Sequence, residues 1–182
     1  KCRARGRGPL PARSTAPVRH SGRARGFASF GEVWLDSPKV FTNFVECGTN
    51  IPFPPITVRN STTSGTMDMI RATAYSTNTY FMSVEERTGL CRPAEIAESM
   101  GVYRGSGEKL LRVPSFTLGT MEVTPLAMAN AYATFANHGI YCEPRVILSI
   151  TDRDGASLPV PPPQCRQVLA RDVADSVVSL LT

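Results

Sequence analysis

The sequence predicts a mixed α/β chain that is predominantly helical. Three observations support this fold class. Apolar residues recur at helical spacing from residue 67 onwards, Thr124-Pro125 opens a long apolar helical segment, and the β-branched content of residues 145–151 favours a strand. With 42% hydrophobic residues among 182, the chain can bury a core. It contains no apolar run of about 18 residues, the length needed to span a bilayer.

The first 35 residues differ in composition from the rest of the chain. Lys1 and seven arginines fall within residues 1–26 without a single acidic residue, so the formal net charge of +5 comes from this end. We therefore predict two parts: an Arg-rich arm over residues 1–35, disordered or non-homologous, and a folded part over residues 36–182. An arm of this kind could also contact nucleic acid or anionic lipid, although it lacks the interleaved aromatic residues of a single-strand binder.

The first two helices are predicted over residues 67–75 and 79–88. Between them, Ser76-Thr77-Asn78-Thr79 places four short polar residues in succession, and such residues favour caps and turns over helix interiors. Gly89 then provides a C-terminal stop for the second helix. Upstream, residues 40–44 favour a short strand, and residues 57–65 indicate a polar connection.

Three further helices are predicted downstream. Pro93 in a first turn and Gly101 at the end bound a helix over residues 93–100. Thr124 as N-cap and Pro125 as the first helical residue open a helix over residues 124–138. A strand over 145–151 follows, then a hairpin turn at residues 152–155, and a last helix over residues 170–181.

The cysteines stand at positions 2, 47, 91, 142 and 165. No two of them are separated by only two residues, so a zinc ribbon or finger is unsupported. Four lie in turn-like contexts, which favours disulfides and an oxidising compartment, with buried unpaired thiols as the alternative. Four cysteines allow three pairings, and we predict Cys47–Cys91 and Cys142–Cys165, with Cys2 left over.

A combined pattern between residues 60 and 139 resembles the transpeptidase domain of penicillin-binding proteins. The class A, bifunctional members from high-GC Gram-positive bacteria (actinobacteria) are the most similar, and the resemblance covers residues 38–182. It implies a fragment of the penicillin-binding protein/serine β-lactamase fold. The segments that carry it are Gly65-Thr66-Met67, Ala74-Tyr75-Ser76-Thr77-Asn78-Thr79-Tyr80-Phe81, Glu85-Glu86-Arg87-Thr88-Gly89-Leu90, Val113-Pro114-Ser115-Phe116-Thr117-Leu118-Gly119 and Glu122-Val123-Thr124-Pro125-Leu126-Ala127.

That family builds its cleft from three motifs: Ser-x-x-Lys, Ser-x-Asn or Ser-Asp-Asn, and Lys-Thr-Gly. A serine hydroxyl is a poor nucleophile at neutral pH and needs an adjacent base, here a lysine. Ser76-Thr77-Asn78 matches the second motif. The resemblance implies that Ser76 relays a proton and that Asn78 binds the peptide group of the substrate, while Thr77 points away and packs the turn. If the resemblance is set aside, these residues are helix caps.

The other two motifs are not matched in the expected places. Lysine occurs only at positions 1, 39 and 109. Ser106-Gly107-Glu108-Lys109 has the spacing of the first motif but follows the second motif in a charged loop, so we interpret it as coincidence. Ser37-Pro38-Lys39 is one residue short, and Arg87-Thr88-Gly89 is predicted to be a helix end. The chain ends at Thr182, before the expected place of the Lys-Thr-Gly motif.

The resemblance implies a partial DD-transpeptidase domain of peptidoglycan cross-linking that is inactive alone. Its implied partners are peptidoglycan stem peptide and β-lactams, with no cofactor and no metal. Its implied location is the extracytoplasmic face of the bacterial membrane, to which this sequence supplies no visible signal or anchor. The alternative function is a non-catalytic module that binds peptidoglycan peptide or another protein. Nucleic-acid binding through the Arg-rich arm is a third hypothesis.

Overall fold

A computed structural model describes residues 33–49, 51–62 and 64–182. Within these ranges the chain forms four two-stranded antiparallel sheets and five α-helices. The helices are α1 (Met69–Ala74), α2 (Asn78–Thr88), α3 (Cys91–Ser99), α4 (Pro125–Ala136) and α5 (Arg171–Leu181), with a 3₁₀ turn at Phe116–Leu118. The strands are β1 (Val33–Leu35), β2 (Lys39–Phe41), β3 (Ile56–Val58), β4 (Gly65–Met67), β5 (Ile140–Cys142), β6 (Ile150–Thr151), β7 (Ser157–Leu158) and β8 (Cys165–Gln167).

The predicted predominantly helical α/β class is confirmed, and each predicted helix is present. The helix predicted from residue 67 begins two residues later, because Met67 ends strand β4 and Asp68 serves as the N-cap. The Asp68 carboxylate accepts a hydrogen bond of 2.8 Å from the N–H of Arg71. Thr124 caps α4 as predicted, and its hydroxyl accepts from the N–H of Ala127.

The N-terminal strands correct the predicted boundary of the arm. Residues 33–35 form β1, which pairs antiparallel with β4, and Leu35 is fully buried. The expected disorder therefore does not extend to these three residues. The rest of the predicted arm, residues 1–32, lies outside the described residues, and so does Cys2. The hypothesis that this arm binds nucleic acid concerns the same residues.

Three clusters of buried apolar residues form the core. One joins Leu35 on β1 to Met67, α1 and Tyr80 on α2. A second joins Phe41, Phe44 and Val58 of the β2–β3 region to the other face of α2. The third lies between α3, α4 and the segment leading into α5. Since α2 contributes to the first two clusters, its position is set by both strand pairs. No helix in the described ranges is long and apolar enough to cross a membrane.

The strand predicted over residues 145–151 is wrong for most of its length. Only Ile150–Thr151 is a strand, paired with Ser157–Leu158 across the predicted hairpin turn. Residues 145–149 are irregular, and Val146 is 100% exposed. β-Branched residues favour a strand only where a partner strand is available to pair with them. The nearby strand β8 pairs with β5, at Ile140–Cys142, and not with residues 145–149.

Both predicted disulfides are present. Cys47 and Cys91 have Cα atoms 5.4 Å apart and tie the β2–β3 connection to the start of α3. Cys142 and Cys165 have Cα atoms 4.1 Å apart and face each other across β5 and β8. This second disulfide joins the two ends of the loop formed by residues 143–164, nearly all of which are exposed.

Gly139 lies at the junction of α4 and β5 and is closely surrounded by other residues. Its φ is +82°, and a Cβ added there would lie 2.4 Å from the carbonyl oxygen of Leu169.

Gly139→Ala is expected to lower the free energy of unfolding by on the order of 3 kcal/mol, because the cost of a left-handed conformation adds to a clash with the backbone. Chemical denaturation measures the change. The control is Gly155→Ala, at φ +84° with nothing within 4 Å, which should cost only about 1–2 kcal/mol. Equal losses in the two variants would contradict the close packing at Leu169.

Candidate active site

The predicted second motif lies in the turn between α1 and α2. After Ala74 the chain turns through Tyr75, whose N–H donates to the carbonyl of Arg71. Ser76 then adopts the left-handed conformation with φ +50°, which is uncommon for residues other than glycine and asparagine. The N–H of Thr77 donates to the carbonyl of Ala72 and closes the turn. This geometry places Ser76 on the surface, where it is exposed to solvent.

Thr77 anchors the turn, as predicted. Its side chain is completely buried, and its hydroxyl donates to the Met67 sulfur at 3.3 Å. Ser76 before it is exposed, whereas Asn78 after it is half-buried. Thr77 therefore fixes the separation of Ser76 from Asn78 along the turn.

Asn78 is the first residue of α2 and is half-buried. Its Nδ2 donates a 2.9 Å hydrogen bond to the carbonyl of Arg59, which lies in another segment of the chain. The side chain is thus not bonded to its own helix, and Ser76 lies outside both helices. A reading of these two residues as caps of α1 and α2 does not fit this geometry, although their catalytic roles stay predictions.

Residues 59–62 form one wall of the site, and no pattern in the sequence predicts them. The Asn60 side chain bonds to Thr79: its Oδ1 accepts from the Thr79 N–H and its Nδ2 donates to Thr79 Oγ1, both at 2.9 Å. The Thr62 hydroxyl donates to the carbonyl of Tyr75 at 2.8 Å. The sequence identifies this segment only as a polar connection. Its docking joins residues 13 to 19 positions apart, which no local pattern reveals.

Among the described residues, the two lysines and the Arg87–Gly89 segment are placed as follows. Lys39, on β2, donates to Ser83 Oγ at 2.9 Å and lies over the Phe41 ring. The Ser106–Lys109 spacing falls in a loop, where the Ser106 hydroxyl donates to Glu108, so serine and lysine do not share a helix face. Thr88 ends α2, and the N–H of Gly89 donates to the carbonyl of Glu85. The arrangement at residues 76–78 therefore presents an exposed hydroxyl at Ser76 and an amide at Asn78.

Glu85 is a buried acidic residue on the same helix as Asn78. It lies on α2, is only 3% exposed, and no described residue makes a full hydrogen bond to either of its carboxyl oxygens. Burial raises the pKa of Glu85 to about 8, and the nearby backbone N–H of Thr117 opposes that rise in part. The protonated acid is thus the form that the fold stabilises near neutral pH.

Two other features of the surface do not belong to this site. An apolar groove of about 490 Å³ lies between α3, α4 and α5, and none of the residues that line it comes from segment 59–80. Throughout the part of the chain that the structure describes, no three His, Cys, Asp or Glu side chains are grouped so that they could hold a metal ion.

Solved structures share this fold. Penicillin-binding protein A from M. tuberculosis, in its penicillin G acyl-enzyme complex, matches 86% of this chain and 39% of its own at 21% identity, with a TM-score of 0.63. Penicillin-binding protein 1A from Haemophilus influenzae matches 72% of this chain and 19% of its own at 24% identity, with a TM-score of 0.55. At these identities the likeness establishes the fold alone.

Sequence relatives extend the comparison. Penicillin-binding protein 1A of Aquifex aeolicus is 32% identical over 117 residues, which are 64% of this chain and 15% of the relative. Penicillin-binding protein 2D of Bacillus subtilis is 34% identical over 114 residues, which are 63% of this chain and 16% of the relative. The chain thus spans about one sixth of the length of these curated relatives. The family model "Penicillin binding protein transpeptidase domain" matches residues 38–182. This chain belongs to the penicillin-binding protein transpeptidase family.

Proposed function

We propose that residues 36–182 are part of a DD-transpeptidase domain that cross-links peptidoglycan, and that residues 76–78 are the second motif of its cleft. The observation that carries the proposal is the geometry of this turn. Ser76 is exposed in a left-handed conformation, and Asn78 follows two residues later with its amide bonded outside its own helix. The proposal requires that both side chains meet the ligand from one side of the turn.

The proposed chemistry is acyl transfer through a serine of the Ser-x-x-Lys motif. That serine attacks the carbonyl of the penultimate D-alanine in a stem peptide, the terminal D-alanine leaves, and an amine of a second stem accepts the acyl group. Ser76 relays the proton between the groups that lose and gain it. The Asn78 amide binds the substrate's peptide group, to which it can donate and from which it can accept. β-Lactams acylate the same nucleophile.

The location proposed for this domain is the extracytoplasmic face of the bacterial membrane, in a class A, bifunctional protein. Two disulfides support an oxidising compartment, since structural disulfides persist where thiols are not kept reduced. Stem peptides are the proposed substrate in that compartment. M. tuberculosis penicillin-binding protein A has been solved as imipenem and penicillin G acyl-enzymes, which supports β-lactams as ligands of the complete domain.

The test is a chimera of a complete relative. Residues 60–139 of this chain replace the matching segment of Aquifex aeolicus penicillin-binding protein 1A, and the rate of acylation by a fluorescent penicillin is measured. Ser76→Ala in the chimera should slow acylation by about 10²–10⁴, the contribution typical of a positioned proton-transfer group. Ser106→Ala, which alters an exposed loop serine, should leave the rate unchanged. A chimera that acylates equally fast with and without the Ser76 hydroxyl would contradict the proposed role.

The second candidate function is a non-catalytic module that binds peptidoglycan peptide. Two observations favour it. The turn offers the Asn78 amide as a hydrogen-bonding group, and Lys39 donates its hydrogen bond to Ser83 on α2. A stem peptide that shifts the NMR signals of residues 59–62 and 75–79, in a chain that penicillin does not label, would select this function. The catalytic function instead requires that Ser76→Ala slow acylation in the chimera.

A further inference from the structure

The first turn of α2 is not capped by its own residues. Thr77 occupies the N-cap position but makes no side-chain hydrogen bond to the helix, because its hydroxyl donates to Met67 Sδ inside the core. The first N–H groups of any α-helix lack partners within the helix and need acceptors from elsewhere. The helix that carries Asn78 therefore depends on a cap from another segment.

Asn60 supplies this cap from the loop after β3. Its Oδ1 accepts the N–H of Thr79, the second residue of α2, at 2.9 Å, and its Nδ2 donates to the Thr79 hydroxyl at the same distance. The Asn60 backbone N–H donates to Ser37 Oγ at 2.8 Å, which ties the loop to the β1–β2 connection. Thr79 is fully buried, so these bonds are shielded from water.

The cap also sets the environment of Asn78. With Asn60 bonded to Thr79, the carbonyl of the preceding residue, Arg59, lies 2.9 Å from Asn78 Nδ2. A carbonyl only accepts, so it selects the nitrogen end of the Asn78 amide. Asn78 then keeps Oδ1 and its second Nδ2 hydrogen for a ligand, and these are the acceptor and donor that the N–H and C=O of a peptide group require.

We propose that Asn60 is the positioning residue of this site. By capping α2 from a distant loop, it holds the Arg59 carbonyl against Asn78 and so orients the amide for a peptide ligand. The inference rests on the proposed function of residues 76–78 for the identity of the ligand. The orienting role itself concerns contacts within the chain and can be tested without a ligand.

The experiment is amide NMR on the ¹⁵N-labelled 182-residue chain. Asn60→Ala should raise the hydrogen-exchange rate of the Thr79 amide about fivefold to tenfold, the effect of losing one helix cap, and should move the Asn78 side-chain resonances. Asn60→Asp keeps the acceptor and should restore the Thr79 amide. Thr124→Ala, which removes the corresponding cap of α4, should leave both sets of signals as in the wild type.

Two results would overturn the positioning role. One is an unchanged Asn78 side chain in Asn60→Ala, and the other is the same shift in Thr124→Ala, which would mark a general loss of stability. If Asn60→Ala does not fold, the wild-type chain decides the matter, because a scalar coupling across the hydrogen bond must link the Thr79 nitrogen to Asn60 Cγ. Its absence would refute the cap.

A titration with a peptide ending in D-Ala-D-Ala separates this inference from the function on which it rests. Binding at residues 76–78 that weakens about tenfold in Asn60→Ala and recovers in Asn60→Asp supports both. No binding in the wild type, together with the Asn78 shift in Asn60→Ala, rejects the peptide-binding function and keeps the positioning role. Binding that Asn60→Ala leaves unchanged rejects the positioning role alone.

Discussion

Replacing Cys47 and Cys91 together by serine is expected to lower the free energy of unfolding by about 4 kcal/mol. The bridge joins residues 44 positions apart, so its loss frees a long loop in the unfolded chain. In the folded state Cys47 packs against the cluster of Phe41, Phe44 and Val58, and the serines would leave polar groups beside it. Urea denaturation in the absence of thiol reagents and oxidants measures the change. Cys2 is replaced by serine in every variant so that it cannot exchange with the other cysteines.

The matched control is the double replacement of Cys142 and Cys165. This bridge joins residues 23 positions apart and closes a segment that is almost wholly exposed. Its loss should cost about 3.5 kcal/mol from loop entropy. The urea dependence of unfolding should also steepen in both variants, since an unbridged unfolded chain exposes more surface. Loss of less than about 1 kcal/mol from the Cys47–Cys91 pair would show that the bridge does not constrain the unfolded chain.

The stability of the protein is expected to fall as pH rises from 4.5 towards 8 because of Glu85. Its pKa is raised from 4.5 to about 8 by burial, so between these values the folded state binds a proton that the unfolded state has released. Stability then declines with rising pH by about 1.4 kcal/mol for each pH unit. Below pH 4.5 both states are protonated, and above pH 8 neither is, so the full loss, on the order of 5 kcal/mol, is reached there.

Glu85→Gln isolates this effect from those of the other carboxyl groups. The variant keeps the shape of the side chain and cannot ionise, so wild type minus variant gives the contribution of Glu85 alone. Denaturation at pH 5, 6, 7 and 8 should show the two stabilities diverging as pH rises, with the variant the more stable at pH 8. Parallel curves across this range would mean that Glu85 ionises as readily in the folded chain as in the unfolded one.

Local signals predicted the helices well because caps and stops are encoded by neighbours. Thr124 with Pro125 marked the start of α4, and Gly89 marked the end of α2. The disulfide pairs were also predicted from turn-like contexts and compact loop length. The same approach failed at residues 145–149, since a strand needs a partner elsewhere in the chain, and β5 had already paired with β8.

The candidate site was predicted only in part for a similar reason. The short polar run at residues 76–79 indicated a break between helices, and the family resemblance assigned Ser76 and Asn78 to it. The burial of Thr77 involves a contact with Met67, ten positions away, and the left-handed conformation of Ser76 belongs to the turn that Thr77 closes. Asn60 was missed because its role arises from bonds to Thr79, 19 positions away, which no spacing in the sequence specifies.

The central proposal is that residues 76–78 are the second motif of a transpeptidase cleft, and the sequence predicts that this chain lacks the nucleophile that the motif serves. The most direct test is to incubate the 182-residue chain with a fluorescent penicillin, followed by a denaturing gel and intact-mass measurement. A complete penicillin-binding protein 1A serves as the positive control. We predict no covalent adduct on this chain under conditions in which the control is fully labelled. A labelled band, with the adduct mapped to any serine of this chain, would contradict the claim.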